Sequence, residues 1–206
     1  AVTDLSQAES LFEEAMKAER IGGNLLTDGK TVCGLSLCWD ETVSYFFHAE
    51  GFLTGQYLAD KMTMLCKTGK VWVLDLKGML PFLSVDYGDV VYDARVAAYL
   101  LNPLKDTYEY DDLARDYLGM TVPSQNDLLK KMSFEEAWEK EREALLTCAG
   151  YMAYAAYASG TFLMEKLSEE GMKDLYLTIE LPLIYALFHM ETEGIAVRRK
   201  ELSDYG

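Results

Sequence analysis

Long hydrophobic runs are missing from this chain. No stretch approaches the ~18 apolar residues that a bilayer-spanning helix needs, and the N-terminal A-V-T-D-L-S-Q-A-E has no basic region ahead of an apolar one. Neither an anchor nor a secretory signal is expected, and the chain reads as soluble, cytoplasmic and without membrane partners. Basic residues are scarce as well: 19 Lys and Arg stand against 34 Asp and Glu, a net charge of -15. Non-specific affinity for nucleic acid comes from cations that neutralise phosphates and release counterions, so the chain alone is expected to bind DNA poorly. Its one basic cluster, Arg198-Arg199-Lys200, reads as a solvated patch. The four cysteines, Cys33, Cys38, Cys66 and Cys148, show no C-x-x-C spacing and lie in apolar stretches. Buried free thiols of a reducing compartment are expected, not a zinc site or a disulfide framework. His48 and His189 have no ligand-spaced partner and read as packed or surface imidazoles.

What is present is core-forming. Apolar and aromatic residues make up 50% of 206 positions, enough for one sizeable core and an appendage. A capping box, Ser6 with Glu9, precedes apolar positions Ala8, Leu11, Phe12, Ala15 and Met16 at helical spacing, which predicts a first helix over 4–19. Strand-like runs follow at 20–26, 31–38 and 42–48. They are separated by D-G-K and W-D-E turns, the pattern of an antiparallel meander. A helix is expected over 52–67, then a strand at K-V-W-V-L-D and another at D-V-V-Y-D. The helix R-V-A-A-Y-L-L then ends at Asn102-Pro103. Strands that alternate with helices argue for crossover units and an α/β sheet.

Beyond Asp106 every signal is helical. Y-D-D-L-A-R-D-Y-L and N-D-L-L-K-K-M are followed by a long segment opened by a second capping box, Ser133 with Glu136. The composition shifts at S-E-E-G, 168–171, after which Leu175, Ile179, Leu183, Ala186, Leu187 and Met190 mark a last helix, expected to kink or break near Pro182. A boundary is placed between 170 and 171.

The segment D-A-R-V-A-A-Y-L-L-N-P with Y-E-Y-D-D-L-A-R-D-Y-L-G, from Asp93 to Gly119, resembles the proofreading-type exonuclease domain of the bacterial family A DNA polymerases. I-E-L-P-L-I-Y-A-L-F-H-M-E-T-E-G-I-A-V, from Ile179 to Val197, is similar to the junction where that domain passes into the polymerase domain. The resemblance implies an α/β, ribonuclease-H-like fold, a mixed five-stranded sheet with surrounding helices. It further implies a fragment: residues 1–170 as the 3′-5′ exonuclease-like domain and 171–206 as the start of the polymerase domain. Template-directed DNA synthesis in replication and repair, with its magnesium site, would then belong to parts beyond this chain.

Active relatives hold two divalent cations on four carboxylates: a D-x-E on the first strand, an Asp after the fourth, and the Asp of a late Y-x-x-x-D. Two cations about 4 Å apart need several anionic oxygens converging on one spot. Here I-G-G-N-L-L-T-D aligns Asn24 with the first Asp and Leu26 with the Glu. D-L-K-G-M places Met79 at the third position, with Asp75 at a neighbouring Asn, and Tyr154-Ala155-Ala156-Tyr157-Ala158 ends on Ala158 at the fourth. From Ala144 to Met164 there is no acidic residue at all. The resemblance therefore implies a vestigial site packed with apolar atoms, holding neither metal nor cofactor. It also implies a structural role within a monomeric polymerase, whose partners are the rest of its own chain and, in that context, DNA.

Two other readings are open. Asp28, Asp75 and Asp93 could serve as substitute carboxylates for a weak exonuclease, although Asp28 falls in a turn and Asp93 suits a helix cap. Alternatively Asp111, Asp112 and the glutamates of 135–143 could form the face of an acidic interaction module. The run Tyr151-Met152-Ala153-Tyr154 continuing to Tyr157 could stack bases, yet Tyr151, Tyr154 and Ala158 at helical spacing read as core. Methionines 62, 64, 152, 164 and 190 read as core filler.

Overall fold

The computed structural model describes residues 1–194 together with Ala196 and Ser203. Arg198-Arg199-Lys200 and the end of the junction-like segment lie outside the described residues. Helix α1 (Leu5–Lys17) leads into strands β1 (Ile21–Thr27), β2 (Val32–Cys38) and β3 (Ser44–His48). Helix α2 (Gly55–Cys66) precedes β4 (Val71–Val73), the short α3 (Leu76–Met79) and a 3₁₀ turn over Leu80–Phe82. Strand β5 (Tyr92–Asp93) runs directly into α4 (Ala94–Leu101). The helical half comprises α5 (Tyr110–Leu118), α6 (Gln125–Leu129), α7 (Phe134–Lys140), α8 (Arg142–Glu169), α9 (Lys173–Leu175), a π turn (Tyr176–Glu180) and α10 (Leu181–Glu193).

The five strands form one mixed sheet in the order β3-β2-β1-β4-β5. β1, β2 and β3 pair antiparallel, as their short turns predict, while β4 and β5 join in parallel through crossovers. All seven residues of β2 are buried and so are six of the seven in β1, because helices cover both faces of the sheet. One face carries α2, with α1 packed beside it and the Phe12 ring stacked on Phe47 at 4.7 Å. The other carries α8, which spans 28 residues.

Glycine 22 fixes how closely α8 lies on β1. A Cβ there would stand 2.2 Å from the Ala153 carbonyl oxygen and 2.5 Å from the Tyr157 amide nitrogen. Only a hydrogen fits, and the strand and helix backbones meet without a side-chain spacer.

Several expected boundaries move. The first helix is capped by Asp4, which accepts the Gln7 N–H at 2.8 Å, so the Ser6–Glu9 box lies inside the helix and caps nothing. The Ser133–Glu136 box is real but opens the short α7; the long helix starts separately after Glu141. Strand β5 keeps only two of the five residues of D-V-V-Y-D. The expected break near Pro182 is present: the ladder passes there from a π turn over Tyr176–Glu180 into α10, in whose first turn the proline stands. In the π turn the Leu181 N–H reaches back five residues to Tyr176.

All four cysteines are buried and free, with burial pushing the Cys33 and Cys66 thiols up to about 12 and the Cys148 thiol to about 11. The methionines divide: Met62 is core, Met152 and Met164 are half-buried, and Met64 and Met190 are exposed, since their positions face away from the sheet. Among the described residues no helix is long and apolar enough to cross a membrane.

Gly22→Ala is expected to cost about 2 kcal/mol or more of unfolding free energy by overpacking, measured by urea denaturation. Gly150→Ala, whose added Cβ would meet only the Ser44 Cβ at 3.9 Å, serves as a packing control, and a Gly22→Ala loss no larger than that control would contradict the close seating of α8.

Candidate functional site

A shallow cleft of about 150 Å³ opens where β1 and β4 end, lined among others by Asn24, Leu74, Asp75, Met79, Arg95 and Met152. Its floor is Asn24, only 3% exposed. The carboxamide works at both ends: Oδ1 accepts the Leu74 N–H at 2.9 Å, and Nδ2 donates to the Met152 carbonyl at 3.2 Å. The side chain therefore ties β1 to the end of β4 and to α8. A carboxylate could accept from Leu74 but would face the Met152 oxygen with no donor.

Leu26 is fully buried further along β1, and Met79 is 4% exposed; both are packed apolar residues. Ala158 is not. β1 and α8 run in opposite directions, with Gly22 against Ala153 and Tyr157 and Asn24 against Met152. Ala158 therefore lies past the far end of β1 from the cleft, half-buried, and Met152 is the helix residue that faces Asn24. Tyrosines at 151, 154 and 157 made the register ambiguous.

Among the described residues Asp75 is the one carboxylate lining the cleft. It caps α3 by accepting the Gly78 N–H at 2.9 Å, and it lies 3.7 Å from the guanidinium of Arg95, which also pairs with Glu109. A cation thus stands where anionic oxygens would have to gather. Among the described residues no three His, Cys, Asp or Glu side chains converge in a way that could hold a metal ion.

The other candidate carboxylates are committed elsewhere. Asp28 closes the turn after β1, accepting from the Lys30 N–H at 2.9 Å and the Thr31 N–H at 2.8 Å. Asp93 is buried behind the cleft. One of its oxygens caps α4 through Val96 N–H at 2.9 Å, and the other accepts the Leu76 N–H at 2.7 Å. Burial pushes its carboxyl up to about 7, outweighing those two donors. Around it closes Tyr176, fully buried, whose hydroxyl accepts the Asp93 N–H and donates to the Asp93 carbonyl, each at 2.9 Å. Tyr176 is marked by no sequence motif, and Arg95, although it lies in the segment that resembles the exonuclease domain, carries no ligand-type signal of its own.

Asp112 is also internal, held by Thr107, Arg115 and Lys105, and so presents no acidic face. His48 is buried and stacked on Trp138 with centroids 3.9 Å apart, and His189 is exposed, as their isolation suggested. Tyr151 and Tyr154 are half-buried, not core; Tyr151 stacks on Tyr110.

The chain is 24% identical to DNA polymerase I of Bacillus subtilis over the whole of its own length, and 31% identical to DNA polymerase I of Streptococcus pneumoniae over 62% of it. Over these lengths it is similar to part of bacterial DNA polymerase I. The chain spans 23% of the Bacillus polymerase and 14% of the Streptococcus polymerase. No protein-family profile matches it. Among solved structures, the polymerase domain of Pol1 from M. smegmatis superposes over 98% of this chain and 34% of its own, with a TM-score of 0.68 at 18% identity. Brucella melitensis NrnC superposes over 89% and 91% with a TM-score of 0.67 at 15% identity, and the apo form of a nuclease with a TM-score of 0.63. The fold is the ribonuclease-H-like sheet with surrounding helices that the resemblance to the polymerases implies.

Within that polymerase-like frame, two substitutions probe the cleft. Asn24→Asp is expected to lose about 2 kcal/mol or more, because a buried charge would face a carbonyl; millimolar magnesium or manganese should restore none of it in a thermal melt. For Asp93, the folded value near 7 lies above an unfolded value of about 3.9. Its contribution to stability is fully present below about pH 4 and lost as the pH rises through about 7. The gap in unfolding free energy between the wild type and Asp93→Asn should therefore narrow from pH 4.5 to pH 8, measured by urea titration at each pH.

Proposed function

We propose that residues 1–170 are a 3′-5′ exonuclease-like domain without nuclease activity, and that its role is structural within a protein of the DNA polymerase I kind. The observation that carries this reading is the Asn24 carboxamide, whose two ends are both used in holding β1, β4 and α8 together at the position of the first catalytic carboxylate. The Arg95 guanidinium beside Asp75 adds to it, since a positive charge opposes a pair of divalent cations at the same spot.

On this reading residues 171–206 begin the polymerase domain. Template-directed synthesis, its magnesium ions and its contacts with DNA would belong to the intact protein, taken as monomeric and cytoplasmic. Helix α10 supports such a joint. Tyr176, Leu181, Ile184 and Tyr185 bury one side of the segment against the sheet domain, and Ile179, Leu183, Leu187 and Met190 leave the other side apolar and exposed. A helix with apolar residues on both sides suits a position between two bodies.

The test is release of nucleotides from a 3′-labelled single-stranded oligonucleotide in magnesium and then manganese, beside a homologous domain with all four carboxylates. No release beyond background is expected. Release that survives repurification and is abolished by Asp75→Asn would instead establish a relocated metal site.

A further inference from the structure

At the opposite end of the sheet from Asn24, a larger groove of about 810 Å³ lies between the strand ends and α8. That volume is in the range of small-molecule sites. Its residues come from the start of β1 (Arg20), the end of β2 (Trp39), the starts of β4 and β5 (Lys70, Trp72, Tyr92) and from Tyr157 of α8. Gly160 allows the helix to close against the wall: a Cβ there would be 2.8 Å from the Trp72 ring.

Arg20 is the anomaly. In a chain with 34 carboxylates, none of the described residues pairs with it. Its Nε is buried with no hydrogen-bond partner, and the guanidinium is stacked 4.4 Å from the centroid of the Tyr157 ring. The Tyr157 ring holds the plane of the fork while leaving its donors unused. Lys70, by contrast, is occupied by the Ala18 carbonyl at 3.0 Å. Half-buried Trp39 and Tyr92 offer flat aromatic surface in the same groove, Tyr92 itself backed by Trp72 at 4.8 Å.

An unpaired, ring-supported guanidinium beside aromatic planes is suited to a planar ring that carries an anionic group, since the fork binds phosphate oxygens bidentately and the rings stack. The exposed carboxylates of Glu14, Glu19 and Glu165 on the rim limit how much negative charge can enter. They disfavour a nucleic-acid strand, with a charge on every phosphate, more than a ligand with one phosphate. We propose that this groove binds a mononucleotide, its phosphate on Arg20 and its base against Trp39 or Tyr92, independently of the Asn24 cleft.

The experiment is titration of the chain with adenosine 5′-monophosphate, followed by tryptophan fluorescence and calorimetry, with adenosine and inorganic phosphate as separate arms. Saturable binding with a dissociation constant below about 1 mM is expected. Each half-ligand should bind about tenfold more weakly. Arg20→Met and Trp39→Leu should each weaken binding about tenfold. Arg20→Lys, which keeps the charge and loses the fork, should fall between. Glu165→Gln should tighten binding, most clearly at low salt. Far-UV circular dichroism confirms that each variant is folded. No saturation up to about 10 mM, equal affinity of wild type and folded Arg20→Met or Arg20→Lys, or phosphate binding as tightly as the nucleotide would each overturn the proposal.

Discussion

The direct contact between α8 and β1 is the constraint on which the rest of the molecule depends. Gly22 removes the side chain that would hold the two backbones apart, and two residues on, the Asn24 carboxamide bonds to the helix carbonyl and to the end of β4. Sheet, crossover and helix are thereby fixed relative to one another at a single point. On the proposed reading the same point is the place of a first metal ligand, and there structural cohesion and catalysis would compete for one side chain. An amide can donate and accept; a carboxylate can only accept. In this chain the amide holds the position.

A second joint lies behind the first. Asp93 ends the last strand, caps α4 and takes a backbone donor from α3, while Tyr176 encloses its main chain from the segment that follows α8. Residues 171–193 are consequently not an appendage hung on the sheet domain. They contribute a fully buried hydroxyl to it, and the buried groups on both sides lose their partners if either moves.

Much of this was readable from sequence where a residue acts through its own neighbours. The strands of the meander follow from apolar runs between turn residues, and the Ser133 box and the Asp93 cap were legible because a helix cap spans three positions. That Asn24, Leu26 and Met79 stand where acids belong is implied by the resemblance to the polymerases and is part of the proposal. The crossovers and the mixed sheet follow from strands alternating with helices, but the register in which α8 crosses β1 does not. The tyrosine spacing points to Ala158, but the antiparallel run of α8 over β1 brings Met152 to the cleft. Arg95, Tyr176 and the Arg20 groove are assembled from residues tens of positions apart, and no local pattern announces them. The Ser6 box is visible as a motif and a lone Asp is not, yet Asp4 is the residue that caps α1.

The π turn ahead of α10 also carries a consequence for insertions and deletions. Its hydrogen bond spans five residues where an α-helix spans four, so the segment holds one residue more than a regular helix would. Each residue turns a helix by about 100°. The extra one therefore sets which side of α10 meets the sheet, acting as a phase adjuster between two stretches of helix. A chain one residue shorter there would carry Ile184 and Tyr185 outward and bring a different row of side chains to the core, while leaving the composition of α10 untouched.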